Sequence, residues 1–283
     1  MSIKITECPR DSMQGVEAWI PTEKKIEYIN KLLRAGFDTI DFGSFVSPKA
    51  IPQLKDTAEV LNGLDLNDTK SKLLAIIVNK RGAETAGQFE EIGFVGYPFS
   101  ISETFQMRNT NSTIDQSLSV VEEIIRVAQG ANQKLLIYIS MAFGNPYNDP
   151  WSSELACKWV DRLHGELGIS NFAMADTIGV GNERSIADLF KTVISQFSEL
   201  HIGAHLHSNP SDSSKKISAA FEAGCRAFDV AINGLGGCPM AEDELVGNIS
   251  TQELFSTLGQ ENFWGIDLDS FSEAVEISRT VFP

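Results

Sequence analysis

Short apolar runs alternate with longer amphipathic stretches from one end of the chain to the other. Ile3 to Cys8 predicts a first strand. Thr22 to Ala35 places Ile26, Ile29, Leu32 and Leu33 on one helical face, and Gly36 ends that helix. Further strands are predicted at Thr39 to Gly43, Leu73 to Val78, Phe94 to Ile101 and Leu135 to Ser140. The last three fall at Phe172 to Thr177, Ile202 to His207 and Ala227 to Ile232. The unbroken apolar run at Leu73 to Val78 suits a parallel strand buried on both faces. Between the strands, helical spacing is predicted at Gln53 to Leu61, through Gln88 and Glu91 up to Gly93, and at Thr113 to Ala128. It returns at Ser152 to Leu167, Ile186 to Phe197 and Lys215 to Ala223. Thr251 to Leu258 and Leu268 to Val281 close the chain as helices.

Eight β-then-α units imply parallel strands, because each crossover needs a helix. That count favours an α/β fold, a single (β/α)8 TIM barrel spanning residues 1–283, over an open doubly wound sheet. No G-x-G-x-x-G follows the first strand, which argues further against a dinucleotide-binding sheet. The net charge of -15 makes nucleic acid or an anionic membrane a poor partner, and no basic run offsets it. The N-terminus has no apolar signal core, and the apolar runs are of strand length. A cytoplasmic protein is expected, with Cys8, Cys157, Cys225 and Cys238 as free thiols. A homo-oligomer stays open.

In such a barrel, chemistry sits at the C-terminal ends of the strands. The first strand runs into Arg10-Asp11-Ser12-Met13-Gln14, and the seventh ends in His205-Leu206-His207. A strand repeats every two residues, so both imidazoles point to one side. With Asp11 they offer a mixed carboxylate and imidazole donor set for Mg²⁺, Mn²⁺, Zn²⁺ or Fe²⁺. Two ordinary core or surface histidines are the plainer alternative. After the eighth strand, Asn233-Gly234-Leu235-Gly236-Gly237-Cys238-Pro239 gives a glycine-rich loop carrying a thiol.

These pieces together resemble the hydroxymethylglutaryl-CoA lyase family of metal-dependent TIM barrels. The resemblance rests on Pro9-Arg10-Asp11 with Gln14, Ser44-Phe45-Val46-Ser47-Pro48-Lys49, and Asp176-Thr177-Ile178-Gly179-Val180-Gly181. It continues through His205-x-His207, the Gly234 to Pro239 loop and Gly247-Asn248, all in the family's order. It implies a carbon–carbon lyase cleaving a 3-hydroxy-3-methylglutaryl-CoA-like thioester to acetyl-CoA and acetoacetate. By that resemblance Asp11, His205, His207 and Asn248 would hold a divalent metal, Mg²⁺ or Mn²⁺ before Zn²⁺ or Fe²⁺. Arg10, Asp41, His205 and Cys238 would serve catalysis. Gln14, Ser140, Asp176 and Thr177 would line the acyl pocket, with Ser47 and Lys49 at the mouth. The substrate is expected to be an acyl-CoA or a hydroxy acid. The alternatives are a superfamily aldolase or acyltransferase on another hydroxy or keto acid, or a barrel that binds a metabolite without catalysis.

Several positions depart from the family pattern. Asp41 stands where a glutamate is usual, and Gly15-Val16-Glu17 where Asn-Glu-Lys is usual. Ser208-Asn209 replaces Asp-Thr after the histidines, which implies loss of a carboxylate behind the metal. The Cys238 to Asn248 interval is one residue longer and holds Glu242, Asp243 and Glu244. Met141-Ala142-Phe143-Gly144-Asn145 is bulkier than usual after strand five.

Overall fold

Eight parallel strands close on themselves in sequence order, β1 Lys4–Glu7, β2 Thr39–Ser44, β3 Lys72–Ile76, β4 Ile92–Ser100, β5 Lys134–Ser140, β6 Asn171–Asp176, β7 His201–Leu206 and β8 Ala227–Val230. β8 pairs back onto β1, with Lys4 beside Ala227 and Glu7 beside Val230. This computed structural model describes residues 3–237, 246–259, 262–263 and 265–282. The (β/α)8 barrel expected from the alternating pattern is therefore the fold. Among the described residues, no helix is long and apolar enough to cross a membrane.

The helices form the outer layer: α1 Pro9–Gln14, α2 Thr22–Ala35, α3 Thr57–Asn62, α4 Lys80–Ala86, α5 Glu103–Thr110, α6 Ile114–Gly130, α7 Ser153–Leu167, α8 Glu183–Gln196, α9 Pro210–Glu222, α10 Thr251–Leu258 and α11 Leu268–Val281. The strongly periodic helices match their sequence patterns because local signals agree with burial. α2 stops where Gly36 adopts a left-handed φ of 82°. α6 starts in a capping box, with Thr113 and Gln116 bonding each other's backbone.

The structure corrects four readings. The helix expected through Gln88 and Glu91 lies earlier, at α4, where the Asn79 side chain accepts from the Gly82 N–H and caps it. Gly93, expected to stop a helix, is inside β4. The segment predicted as one helix from Gln53 splits into a short 3-10 turn, Pro52–Leu54, and α3. α9 begins at Pro210, which suits the first turn of a helix because the N–H that proline lacks would have no helical partner there. α1 and α5 carry too few periodic apolar positions to stand out in the sequence.

The strands' two faces separate two cores. Leu74, Ile76, Tyr138 and Ala173 pack together inside the barrel. The alternate positions Leu73, Ala75, Ile77, Ile137 and Ile139 join the larger layer between strands and helices. Cys8, Cys157 and Cys225 are buried free thiols.

Candidate metal and active centre

Pro9 opens α1 directly after β1, so Arg10, Asp11 and Gln14 fall on one short helix at the strand end. Helical spacing then wires them together. The Arg10 Nη1 donates to Asp11 Oδ1 at 2.7 Å and to Gln14 Oε1 at 2.9 Å, and Gln14 Nε2 donates to Asp11 Oδ1 at 2.7 Å. From the neighbouring strand Asp41, fully buried, grips the same guanidinium through both oxygens, with Arg10 Nε at 3.2 and 3.0 Å. The shorter aspartate, in the place of the usual glutamate, thus reaches Arg10 in a two-pronged pair. Burial works against the Arg10 charge, but Asp41 and Asp11 more than compensate and hold it protonated.

β7 ends at Leu206, and His207 leaves the sheet to form an isolated antiparallel bridge with Asn248. The segment around Asn248 lies between two strand ends. Ile249 N–H donates to the Leu206 carbonyl, Ala231 N–H to the Ile249 carbonyl and Ser208 N–H to the Gly247 carbonyl. Backbone pairing therefore brings Asn248 to the histidines across a long stretch of sequence. The close approach depends on glycine. A Cβ on Gly236, where φ is 98°, would meet Asn248 Nδ2 at 2.6 Å and the Asp11 carbonyl at 2.8 Å.

Ligand-bearing atoms of Asp11, His205 and His207 lie within 4.8 Å of one another, all three residues buried. The His207 Nδ1 meets the Thr177 carbonyl at 3.0 Å, so this nitrogen carries the proton and Nε2 is left as a free acceptor. That Nε2 is buried with no partner, and so is Asn248 Oδ1. Burial and the neighbouring His205 push His207 down to about 4, which keeps it neutral, as a metal ligand must be. Burial opposes charge on Asp11, but Arg10, the two imidazoles and the Asn248 amide outweigh it and hold the carboxyl below its usual range. Orphaned nitrogen and amide-oxygen acceptors beside an ionised carboxylate fit a divalent cation.

Behind His205 stands Asp229, which the sequence reading did not single out. The β7–β8 register sets the two side by side, and Asp229 Oδ2 lies 3.1 Å from His205 Nδ1. Asp229 thus supplies a carboxylate behind the site although Ser208, whose hydroxyl donates to the Asn209 carbonyl, does not. Burial would lower the His205 pKa, yet the Asp229 bond and charge, with Asp11, raise it. A register prediction for β7 against β8 was the signal that would have found Asp229. Tyr138, also missed, packs edge-on to His205 at 5.3 Å, with its buried hydroxyl unpartnered.

The remaining predicted residues separate into groups. Ser140 is buried at the end of β5. Thr177 Oγ1 accepts from the Met141 N–H at 2.9 Å and supports Met141 at a left-handed φ of 60°. Asp176 is 1% exposed, and its carboxylate is engaged by Lys216 Nζ at 2.8 Å and by the Gly181 N–H. Ser47 and Lys49 are exposed on the loop after β2. Cys238, Glu242, Asp243 and Glu244 lie outside the described residues.

The HMGL-like family model matches residues 3–281. The chain is 34% identical over 255 residues to the hydroxymethylglutaryl-CoA lyase YngG of Bacillus subtilis, covering 89% of this chain and 83% of that protein. To the hydroxymethylglutaryl-CoA lyase of Pseudomonas mevalonii it is 31% identical, over 96% of this chain and 90% of that one. A solved HMG-CoA lyase from Acinetobacter baumannii, in complex with coenzyme A and 3-methylmalate, superposes with a TM-score of 0.90 at 33% identity. That match covers 99% of this chain and 91% of the solved one.

Proposed function

Because the chain belongs to the HMGL-like family, we propose that it is a divalent-metal-dependent carbon–carbon lyase cleaving a 3-hydroxy-3-methylglutaryl-CoA-like thioester to acetyl-CoA and acetoacetate. The observation that carries this reading is the juxtaposition of charged Arg10 with the buried Asp11, His205 and His207 cluster and its two orphaned acceptors.

Asp11, His205, His207 and Asn248 would hold the metal, with Mg²⁺ or Mn²⁺ the best match to a set that includes carboxylate and amide oxygen. When bound there, such an ion supplies Lewis acidity that makes a substrate hydroxyl easier to deprotonate. The chain's own groups account for the rest. As the O–H electrons become the ketone of acetoacetate, the carbon–carbon bond pair passes to the leaving acetyl-CoA as an enolate. Arg10, pinned by Asp41 and Gln14, presents a fixed cation to that enolate oxygen in a buried setting. Cys238 is assigned to return a proton to the enolate carbon. His205 is assigned a second role as acceptor of the hydroxyl proton, which needs its Nε2 off the metal at that step, with Asp229 at Nδ1 to stabilise the resulting imidazolium. Gln14, Ser140, Asp176 and Thr177 are assigned to the acyl pocket and its supporting wall, and Ser47 and Lys49 to the CoA side of the mouth. We further assign residues 1–283 to one lyase domain, working in the cytoplasm.

The test is product analysis. Purified protein with Mg²⁺ is given hydroxymethylglutaryl-CoA or free hydroxymethylglutarate. Acetyl-CoA and acetoacetate in equal amounts from the thioester alone are expected. Products from neither compound would remove this substrate class.

A further inference from the structure

Lys216 is a charged side chain that the reaction does not call on, yet it is as buried as the core, at 4% exposure. It sits on α9 and reaches across to the ends of β6 and β7. Its Nζ donates to the His207 carbonyl at 2.8 Å, to Asp176 Oδ2 at 2.8 Å and to the Gly179 carbonyl at 2.9 Å. An ammonium has three N–H donors, and all three are used. Burying a lysine is costly unless it is fully paired, so this arrangement holds the surrounding backbone to one geometry.

Those three acceptors belong to the parts that aim His207. Asp176 is followed by Thr177, whose carbonyl fixes the His207 ring through Nδ1. Gly179 turns the chain at φ 71°, and a Cβ there would meet Val246, two residues before Asn248, at 2.8 Å. Asp176 also accepts from Gly181 N–H and so closes the same turn. Lys216 therefore ties the main chain of one ligand to the turn that orients that ligand's ring.

We propose that Lys216 is a positioning residue that sets the direction of the His207 Nε2 and thereby the affinity of the centre for a divalent cation. This rests on the metal reading above. Removal of Lys216 would leave the Asp176 carboxylate buried without its cation, and the Thr177 carbonyl would lose its fixed place. The metal-binding atom itself would remain.

The experiment measures Mn²⁺ binding, by the EPR signal of free ion, and thermal unfolding of the metal-free protein. It compares wild type, Lys216→Met, the double variant Asp176→Asn/Lys216→Met and Lys25→Met. The double variant removes both charges together and so avoids a stranded carboxylate. Lys25 is a buried lysine elsewhere, bonded to Asp56 at 2.7 Å and to the Gln53 carbonyl, and it controls for general loss of stability. Both Lys216 variants are expected to bind Mn²⁺ roughly 10–100-fold more weakly. Lys25→Met should lower the melting temperature while keeping wild-type affinity. If Lys216→Met fails to fold, the double variant gives the result. Wild-type affinity in a folded Lys216 variant, or an equal loss in Lys25→Met, would overturn the proposal while leaving the metal reading intact. A wild-type protein that takes up no Mn²⁺ would overturn both.

Discussion

The aim of His205 rests on one carboxylate. Asp229 holds its Nδ1 at 3.1 Å, and His205 clusters with Asp11 and His207. Asp229→Asn should retain the fold and weaken metal affinity about 10–100-fold, as read by Mn²⁺ titration. Unchanged affinity would remove Asp229 from the site. Arg10 poses the complementary question, because it touches Asp11 but stands as the enolate partner rather than a ligand. Arg10→Met should cut kcat by roughly 10²–10³-fold while Mn²⁺ still binds. A variant that bound Mn²⁺ weakly but recovered wild-type kcat at saturating metal would reassign Arg10 to ligand support. Glu7 gives a prediction about stability. Its carboxyl is fully buried, receives the Ile232 N–H at 2.7 Å and the Thr251 hydroxyl at 2.6 Å, and burial pushes its pKa up from 4.5 to about 8 despite those bonds. Between those values the folded state keeps a proton that the unfolded chain releases. Its contribution is complete below about 4.5 and is lost as pH rises through about 8. Urea unfolding at several pH values should show Glu7→Gln losing less stability across that window. The difference in slope should reach about 1.4 kcal/mol per pH unit at most. Equal slopes would place the Glu7 pKa near its ordinary value.

Among the elements, the most consequential are those whose geometry the sequence conceals. The two-residue period of β7 was enough to set His205 and His207 on one side, and their rings indeed lie 5.1 Å apart. Asn248 and Asp229 follow from different rules. Asn248 arrives through an isolated bridge to His207, and Asp229 through the register of β7 against β8. Both are pairings between distant segments, which no local pattern encodes. α1 was hidden for the opposite reason. Six residues offer no repeat to detect, and its polar side chains are buried for the site rather than turned to solvent. The misplaced α4 shows local capping at Asn79 prevailing over a weak amphipathic pattern further on. The tight crossing of the Gly236 backbone, Asp11 and Asn248 supplies a test at this scale. Gly236→Ala brings a methyl within 2.6 Å of the Asn248 amide at an unfavourable φ. It should abolish Mn²⁺ binding, while circular dichroism shows the barrel's secondary structure unchanged. Normal binding would mean that the Asn248 segment is not held where the structure puts it.

For the whole molecule, a closed parallel barrel turns eight strand ends toward one face, and every group of the centre comes from that face. This is why the fold and much of the centre were legible from a linear sequence. Once eight β-then-α units were counted, strand ends became addresses, and Arg10, Asp11, His205 and His207 were already written at two of them. Lys216 was not, because a lysine in the middle of an amphipathic helix reads as solvated until packing buries it. Together these strand-end residues form the proposed metal-dependent lyase centre. Its most direct test is to strip the purified protein with a chelator, supply hydroxymethylglutaryl-CoA, and follow acetyl-CoA as Mn²⁺ is returned, in wild type and in His207→Ala. No product is expected without metal, with recovery on titration in wild type and none in the variant at the same Mn²⁺ concentrations. Full turnover by the stripped protein, or by His207→Ala, would contradict it.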